Sequence, residues 1–192
     1  MRFFLCNLQC NGFGQKDPTD PSTYELPYEK LDITDITNVF DLPVFDKGCD
    51  SSYTWAKKYS HLITDKTVQE ACDELTALLP RGKFIHPDTG QETHMVFTGG
   101  EPMLFAELIP LCNRLRAENY HITIETAGTL FLPVECDLMS ISPKTNNSAP
   151  DATDHPRWHR RHERSRFAPH VIRQLLNSYH CQVKFAVSYT HL

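Results

Sequence analysis

The chain has 192 residues, 40% of them hydrophobic and 22% charged, with a formal net charge of −5. That length suits one domain with a sizeable core, and the acidic balance argues against a general nucleic-acid or membrane-surface binder, which wants a basic surface. No apolar run approaches membrane-spanning length, and MRFFLCNLQC is too short and too polar at its end for a secretory signal, so a cytoplasmic location with no membrane or nucleic-acid partner is expected.

In chain order, Arg2 to Leu5 predicts a short buried strand. Gly12 to Lys47 is rich in Asp, Pro and Thr without a sustained period, and predicts a surface insertion at about 12–47 in a single domain. Phe40, Leu42, Val44 and Phe45 are its candidate anchors to the body. Thr67 with Glu70 forms a capping box. Val68, Ala71, Cys72, Leu75, Leu78 and Leu79 follow at helical spacing until Pro80 stops the helix. His94 to Phe97 predicts a strand, about Glu107 to Asn119 a helix, His121 to Glu125 and Leu138 to Ile141 two more strands. Thr145 to Arg166 is polar and rich in His and Arg, and predicts a loop. His170 to Ser178 then predicts a helix and Gln182 to Val187 a last strand. Such alternation favours an α/β fold with a parallel sheet.

Four polar or glycine-bearing segments follow the strands: CNLQC (Cys6 to Cys10), TGGEP (Thr98 to Pro102), ETAGT (Glu125 to Thr129) and SPK (Ser142 to Lys144). In parallel α/β structures the loops at the carboxyl ends of the strands build the active site. These four segments therefore predict one site. In TGGEP, adjacent glycines let the backbone approach a ligand, and Glu101 can accept hydrogen bonds from an ammonium or hydroxyl group. Lys144 can balance a carboxylate, and Pro143 fixes the backbone beside it.

The seven cysteines are odd in number and irregularly spaced, which does not suit disulfide staples. Cys72, Cys112, Cys136 and Cys181 stand alone in apolar segments and predict small buried hydrophobes. Cys6 and Cys10 can turn both sulfurs to one centre, and Cys49, which opens CDSSYTW, can supply a third thiolate. Three soft thiolates suit a 4Fe–4S cluster with one open iron. Taken alone the spacing is also compatible with ordinary core cysteines or with a zinc site, although zinc normally wants four ligands. His155, His159 and His162 are imaginable donors, but a solvated face explains them better.

Together CNLQC, CDSSYTW, TGGEP, ETAGT, SPK and QVKFAV, in this order, resemble the radical S-adenosylmethionine (SAM) superfamily, and within it the 7-carboxy-7-deazaguanine synthase family. The resemblance covers most of the chain outside the insertion. It implies a partial (β/α) barrel in which Cys6, Cys10 and Cys49 bind a 4Fe–4S cluster. SAM would be held by Gly48, Asp50, Gly99, Gly100, Glu101, Glu125, Ser142, Pro143 and Lys144. Thr98 would touch the pterin substrate. Ser51 stands where the family usually has a threonine that ligates Mg2+, and it offers an oxygen donor of the same type. The implied reaction needs reduction by a flavodoxin or ferredoxin and cleavage of SAM to a 5′-deoxyadenosyl radical. Conversion of 6-carboxy-5,6,7,8-tetrahydropterin to 7-carboxy-7-deazaguanine follows, with loss of ammonia. A homodimer is a possible assembly.

The chain departs from the superfamily's usual CxxxCxxC, because a long insert separates Cys10 from Cys49. Loop closure rises by only about 0.6 kcal/mol per doubling of length, so the insert does not forbid convergence. Both ends look truncated against the family's pattern, and SYTHL at the end does not fit it, which implies a fragment lacking some substrate-binding residues. Another radical SAM enzyme, such as a glycyl-radical activase, and a degenerate non-catalytic metal-binding fragment are the alternative readings.

Overall fold

In a computed structural model, the described residues are 1–11, 26–45, 48–79 and 85–185. The alternation in HMVFTG makes β2 (His94–Gly99), whose Met95 and Phe97 point into the core while Val96 stays exposed. Strands β3 (His121–Thr126) and β4 (Leu138–Ile141) are buried on both faces, as central parallel strands are: β4 is a nearly continuous apolar run, whereas β3 alternates Ile122 and Ile124 with Thr123 and Thr126, which are buried as well. The short strands β1 (Arg2–Phe3) and β5 (Cys181–Val183) complete a sheet of order β1-β2-β3-β4-β5, with every neighbouring pair parallel. Sequential parallel order is how a (β/α) barrel is wound, one strand after another in the same sense. The register pairs Arg2 with Thr98, His94 with His121, Thr123 with Leu138 and Met139 with Cys181. It sets the carboxyl ends of the strands side by side.

Helices α2 (Val68–Ala77), α3 (Leu108–Ala117) and α5 (Pro169–Ser178) supply the covering layer. The predicted capping box is present: Glu70 N–H donates to Thr67 Oγ1 at 3.2 Å, and Thr67 N–H donates to Glu70 Oε2 at 2.8 Å. Phe97, Ile122, Ile124, Met139 and Ile141 from the sheet meet Leu108, Leu115 and Leu175 from the helices, all fully buried. Between β3 and β4 the chain crosses without a helix. There Leu130, Phe131, Leu132 and Val134 pack on the core, and the Tyr179 hydroxyl takes up the Val134 N–H at 3.1 Å.

Three expectations need correction. The stretch 145–166 is not a loop: it holds a short turn at Asn146–Ser148 and helix α4 (Pro156–Arg166). Its polarity hid the helix, because one buried side chain, His162, anchors it and no apolar stripe exists to reveal a period. Leu78 is not in the core, since the helix ends at Ala77 and Leu78 is 80% exposed. Of the four proposed anchors of the insertion, Phe45 is buried and Leu42 packs beside it, whereas Phe40 and Val44 are 90% and 92% exposed.

The described part of that insertion contains α1 (Pro27–Lys30), and its Tyr28 and Phe45 form a second, aromatic cluster with Tyr59 from beyond the insertion. Tyr59 donates its buried hydroxyl to the Tyr28 carbonyl at 3.0 Å. The rest of the insertion (12–25 and 46–47), Pro80, and the end of the predicted last strand with SYTHL lie outside the described residues. Among the described residues no helix is long and apolar enough to cross a membrane.

Candidate functional site

A cavity of about 540 Å³ opens at the carboxyl edge of the sheet. Its wall begins with β1. After Phe3 the chain turns sharply at Leu5, which takes a left-handed φ of 63°. That conformation is unfavourable by roughly 1–2 kcal/mol for a residue with a Cβ. Two backbone bonds hold it: Leu5 N–H donates to Thr54 O at 2.7 Å, and Glu101 N–H donates to Leu5 O at 2.9 Å. The turn delivers Cys6 into the cavity, and the loop continues through buried Leu8 to buried Cys10. Asn7 Nδ2 ties the loop to Thr129 Oγ1 at 2.9 Å, and Asn11 N–H ties it to Ser148 O at 3.1 Å.

The glycines of TGGEP have a first reason in this packing. A Cβ on Gly99 would lie 2.2 Å from Phe3 O, and one on Gly100 would lie 1.8 Å from Leu5 O. Gly99 has in addition a φ of 128°. The missing side chains thus let β1 and the cysteine loop lie directly on the TGG backbone, which then forms part of the cavity wall.

Cys6, Cys10 and Cys49 all face this cavity, and Cys6 and Cys49 pack against the small cluster of Leu8, Cys10 and Ala127. All are free thiols. Burial pushes the Cys6 thiol up to about 12, and it raises Cys10 and Cys49 as well. The Lys144 ammonium opposes the rise at each of them. Among the described residues no three His, Cys, Asp or Glu side chains stand close enough to clasp a single metal ion. A four-iron cluster makes a different demand, since it takes one thiolate per iron and spreads its ligands around itself. A donor set of three soft thiols, Cys10 buried and Cys6 and Cys49 half-buried, beside a cation, fits that group in kind.

Gly48, Asp50, Ser51, Thr98, Gly99, Gly100, Glu125, Ser142 and Lys144 line the same cavity, as the sequence predicted for one site. Pro143 and Glu101 do not. Glu101 is wholly buried, and its carboxylate accepts from the Thr126 hydroxyl at 2.8 Å, Ala127 N–H at 2.9 Å and its own loop's Met103 N–H at 3.1 Å. Burial raises its pKa against the pull of these donors. The carboxylate therefore braces the start of ETAGT against TGGEP.

Opposite charges are interleaved around the mouth. Arg2 donates to Ser51 Oγ at 3.1 Å, and Ser51 donates to Asp50 Oδ1 at 3.0 Å. Glu125 accepts from Thr98 Oγ1 at 2.9 Å and from Lys184 Nζ at 2.6 Å. Burial disfavours the Glu125 charge, but the bonds from Lys184 and Thr98 outweigh it and hold the carboxyl below its usual range. Arg2 and Lys184 also line the cavity and were not singled out from the sequence. Lys184 had a signal, because it is the lysine of QVKFAV at the end of β5; Arg2 had none beyond its place in β1.

No protein-family model matches the sequence. The chain is 33% identical to the 7-carboxy-7-deazaguanine synthase of Halobacterium salinarum over 145 residues, 73% of this chain and 51% of that protein. It is 45% identical to the 7-carboxy-7-deazaguanine synthase of Rhodopirellula baltica over 95 residues, 49% of this chain and 37% of that protein. The crystal structure of QueE from Escherichia coli matches with 27% identity and a TM-score of 0.35, covering 53% of this chain and 48% of the other. The chain thus spans about half the length, or less, of these relatives.

Proposed function

We propose that this chain, a homologue of the 7-carboxy-7-deazaguanine synthases, carries the cluster- and SAM-binding part of a cytoplasmic enzyme of that kind. The enzyme converts 6-carboxy-5,6,7,8-tetrahydropterin to 7-carboxy-7-deazaguanine with loss of ammonia. One observation carries the reading: cysteines from two distant segments share a cavity with the TGG and SPK loops. Residues 1–192 form one domain in this reading, with 12–47 as an insertion in the cluster loop.

Cys6, Cys10 and Cys49 hold the 4Fe–4S cluster, and the cluster with SAM supplies the 5′-deoxyadenosyl radical when both are bound. The protein's part is to bind, orient and exclude water. Each thiol would ligate iron as the thiolate, and the cluster would supply the positive charge that offsets the solvation lost on burial. Lys144 assists that ionisation and offers an ammonium to a carboxylate of SAM. The Gly48–Asp50 and Gly99–Gly100 backbones and Ser142 complete the SAM wall. Pro143 stiffens it and Glu101 braces it from behind. Thr98 and Glu125, bridged to each other and to Lys184, present a polar edge to the pterin and to SAM. Ser51 Oγ, with the Asp50 carboxylate beside it, would be the oxygen donor to Mg2+, and the Arg2 guanidinium donates to the same hydroxyl at 3.1 Å. The electron comes from a reduced flavodoxin or ferredoxin.

The test is anaerobic turnover of the reconstituted chain with SAM, dithionite and the carboxy-tetrahydropterin. Formation of the deazaguanine product supports the reading. Cleavage of SAM with the pterin untouched would show the cluster- and SAM-binding part without a working pterin site, and no cleavage of SAM would overturn the reading.

A further inference from the structure

Helix α4 carries charge that the site does not use. Arg157, Arg160, Arg161 and Arg164 are all exposed. Their spacing of i, i+3, i+4 and i+7 aligns them on one helix face. The fifth arginine, Arg166, is neutralised by Glu163 through two bonds of 2.6 Å. Among the described residues none of the other four makes an ion pair. Arg161 lies over the Trp158 ring at 5.1 Å from its centroid, and Phe167, 72% exposed, follows the helix. This cationic face stands out on a chain whose net charge is −5.

The opposite face of α4 rests on the cysteine loop. His162 is fully buried, with Nε2 2.9 Å from Ser148 Oγ, and the Gln9 backbone also meets its ring. Ser148 O accepts the Asn11 N–H at 3.1 Å, one residue beyond Cys10. Arg166 reaches Lys144 O at 3.5 Å, in the loop that lines the cavity. A partner seated on the arginines is therefore separated from the cysteines by the thickness of one helix and one loop.

We infer that the arginine face of α4 is the docking surface for a small acidic one-electron carrier protein. The inference rests on the proposed function, which needs an external electron. Complementary charge steers such encounters, and Arg with Trp is the composition of an interface hot spot. One electron leaves the carrier's cofactor, which is oxidised by one equivalent, and the enzyme's cluster gains it. No bond forms or breaks and no proton moves. The acidic balance of the chain as a whole favours a protein over a nucleic acid at this face.

The experiment compares the reconstituted chain with two quadruple variants at positions 157, 160, 161 and 164, one with all four Arg→Gln and one with all four Arg→Glu. Oxidised flavodoxin binding is followed by flavin fluorescence anisotropy. Parent affinity should fall about tenfold or more as salt rises from about 25 to about 250 mM. The Glu variant should bind at least about tenfold more weakly at low salt, with the Gln variant between. Flavodoxin-driven SAM cleavage should fall in parallel while dithionite-driven cleavage stays at the parent level. Flavodoxin binding equal to the parent's in the Glu variant, or no binding by the parent, overturns the inference. So does tighter, variant-sensitive binding of a mixed-sequence RNA, which would assign the face to nucleic acid. If dithionite drives no SAM cleavage in the parent, the functional reading fails, and the binding measurement still decides the docking face.

Discussion

The middle of the sheet and its carboxyl edge are built on different principles. In β2, β3 and β4 the positions are set by side chains: Phe97, Ile122, Ile124, Met139 and Ile141 fill a shared core, and the backbone follows the regular ladder. At the cavity the positions are set by backbone groups. Leu5 is held in a left-handed turn by Thr54 and Glu101, the TGG glycines yield their Cβ volume to Phe3 and Leu5, and Asn11 is pinned by Ser148. A packed core tolerates similar apolar shapes. A backbone crossing at this distance tolerates no added atom. The two regions should therefore fail differently.

The largest expected loss is in the core. Phe97→Ala removes a fully buried ring and should destabilise the fold by about 3–5 kcal/mol in denaturant unfolding. Phe97→Leu should recover most of it, and equal losses for both would show that shape rather than volume governs this core.

Gly100→Ala adds one methyl where Leu5 O already stands. It should destabilise by about 3 kcal/mol, the upper range for overpacking, and impair iron uptake as well, because the clash displaces the turn that presents Cys6. Normal iron loading in a folded Gly100→Ala protein would break the distinction drawn here.

His162 gives an effect of roughly 3 kcal/mol. Burial lowers its pKa from the ordinary 6.5 to about 4. The unfolded chain then binds a proton that the folded chain refuses, so stability is full above about pH 6.5 and declines as pH falls toward 4. Unfolding curves across that range should show the decline in the parent and a shallower one in His162→Leu. The smallest effect is Leu5→Gly, which relieves the left-handed strain at a half-exposed side chain. It should be neutral or stabilising by up to about 1 kcal/mol in thermal unfolding. A clear loss would mean that the Leu5 side chain matters more than its backbone.

What the sequence made legible follows the same division. Leu138–Ile141 has its predicted bounds, and the Thr67 cap stands where the pattern placed it, because side-chain periodicity and capping chemistry are local. The motifs also located the cavity wall, since strand ends in a parallel sheet share one edge. Helix α4 was not legible by period. Its signals were of another kind, namely Pro156 at the first turn and the Glu163–Arg166 pair one turn apart. The brace role of Glu101 and the contribution of Arg2 depend on contacts between segments far apart in the chain, which no local pattern encodes.

The most direct test is iron–sulfur reconstitution under anaerobic conditions, read by absorbance and iron content. The parent and the core variant Cys112→Ala should both take up roughly four irons per chain with a broad visible band. Cys6→Ala, Cys10→Ala and Cys49→Ala should each lose the band. A Cys49→Ala protein that loads iron like the parent would contradict the account.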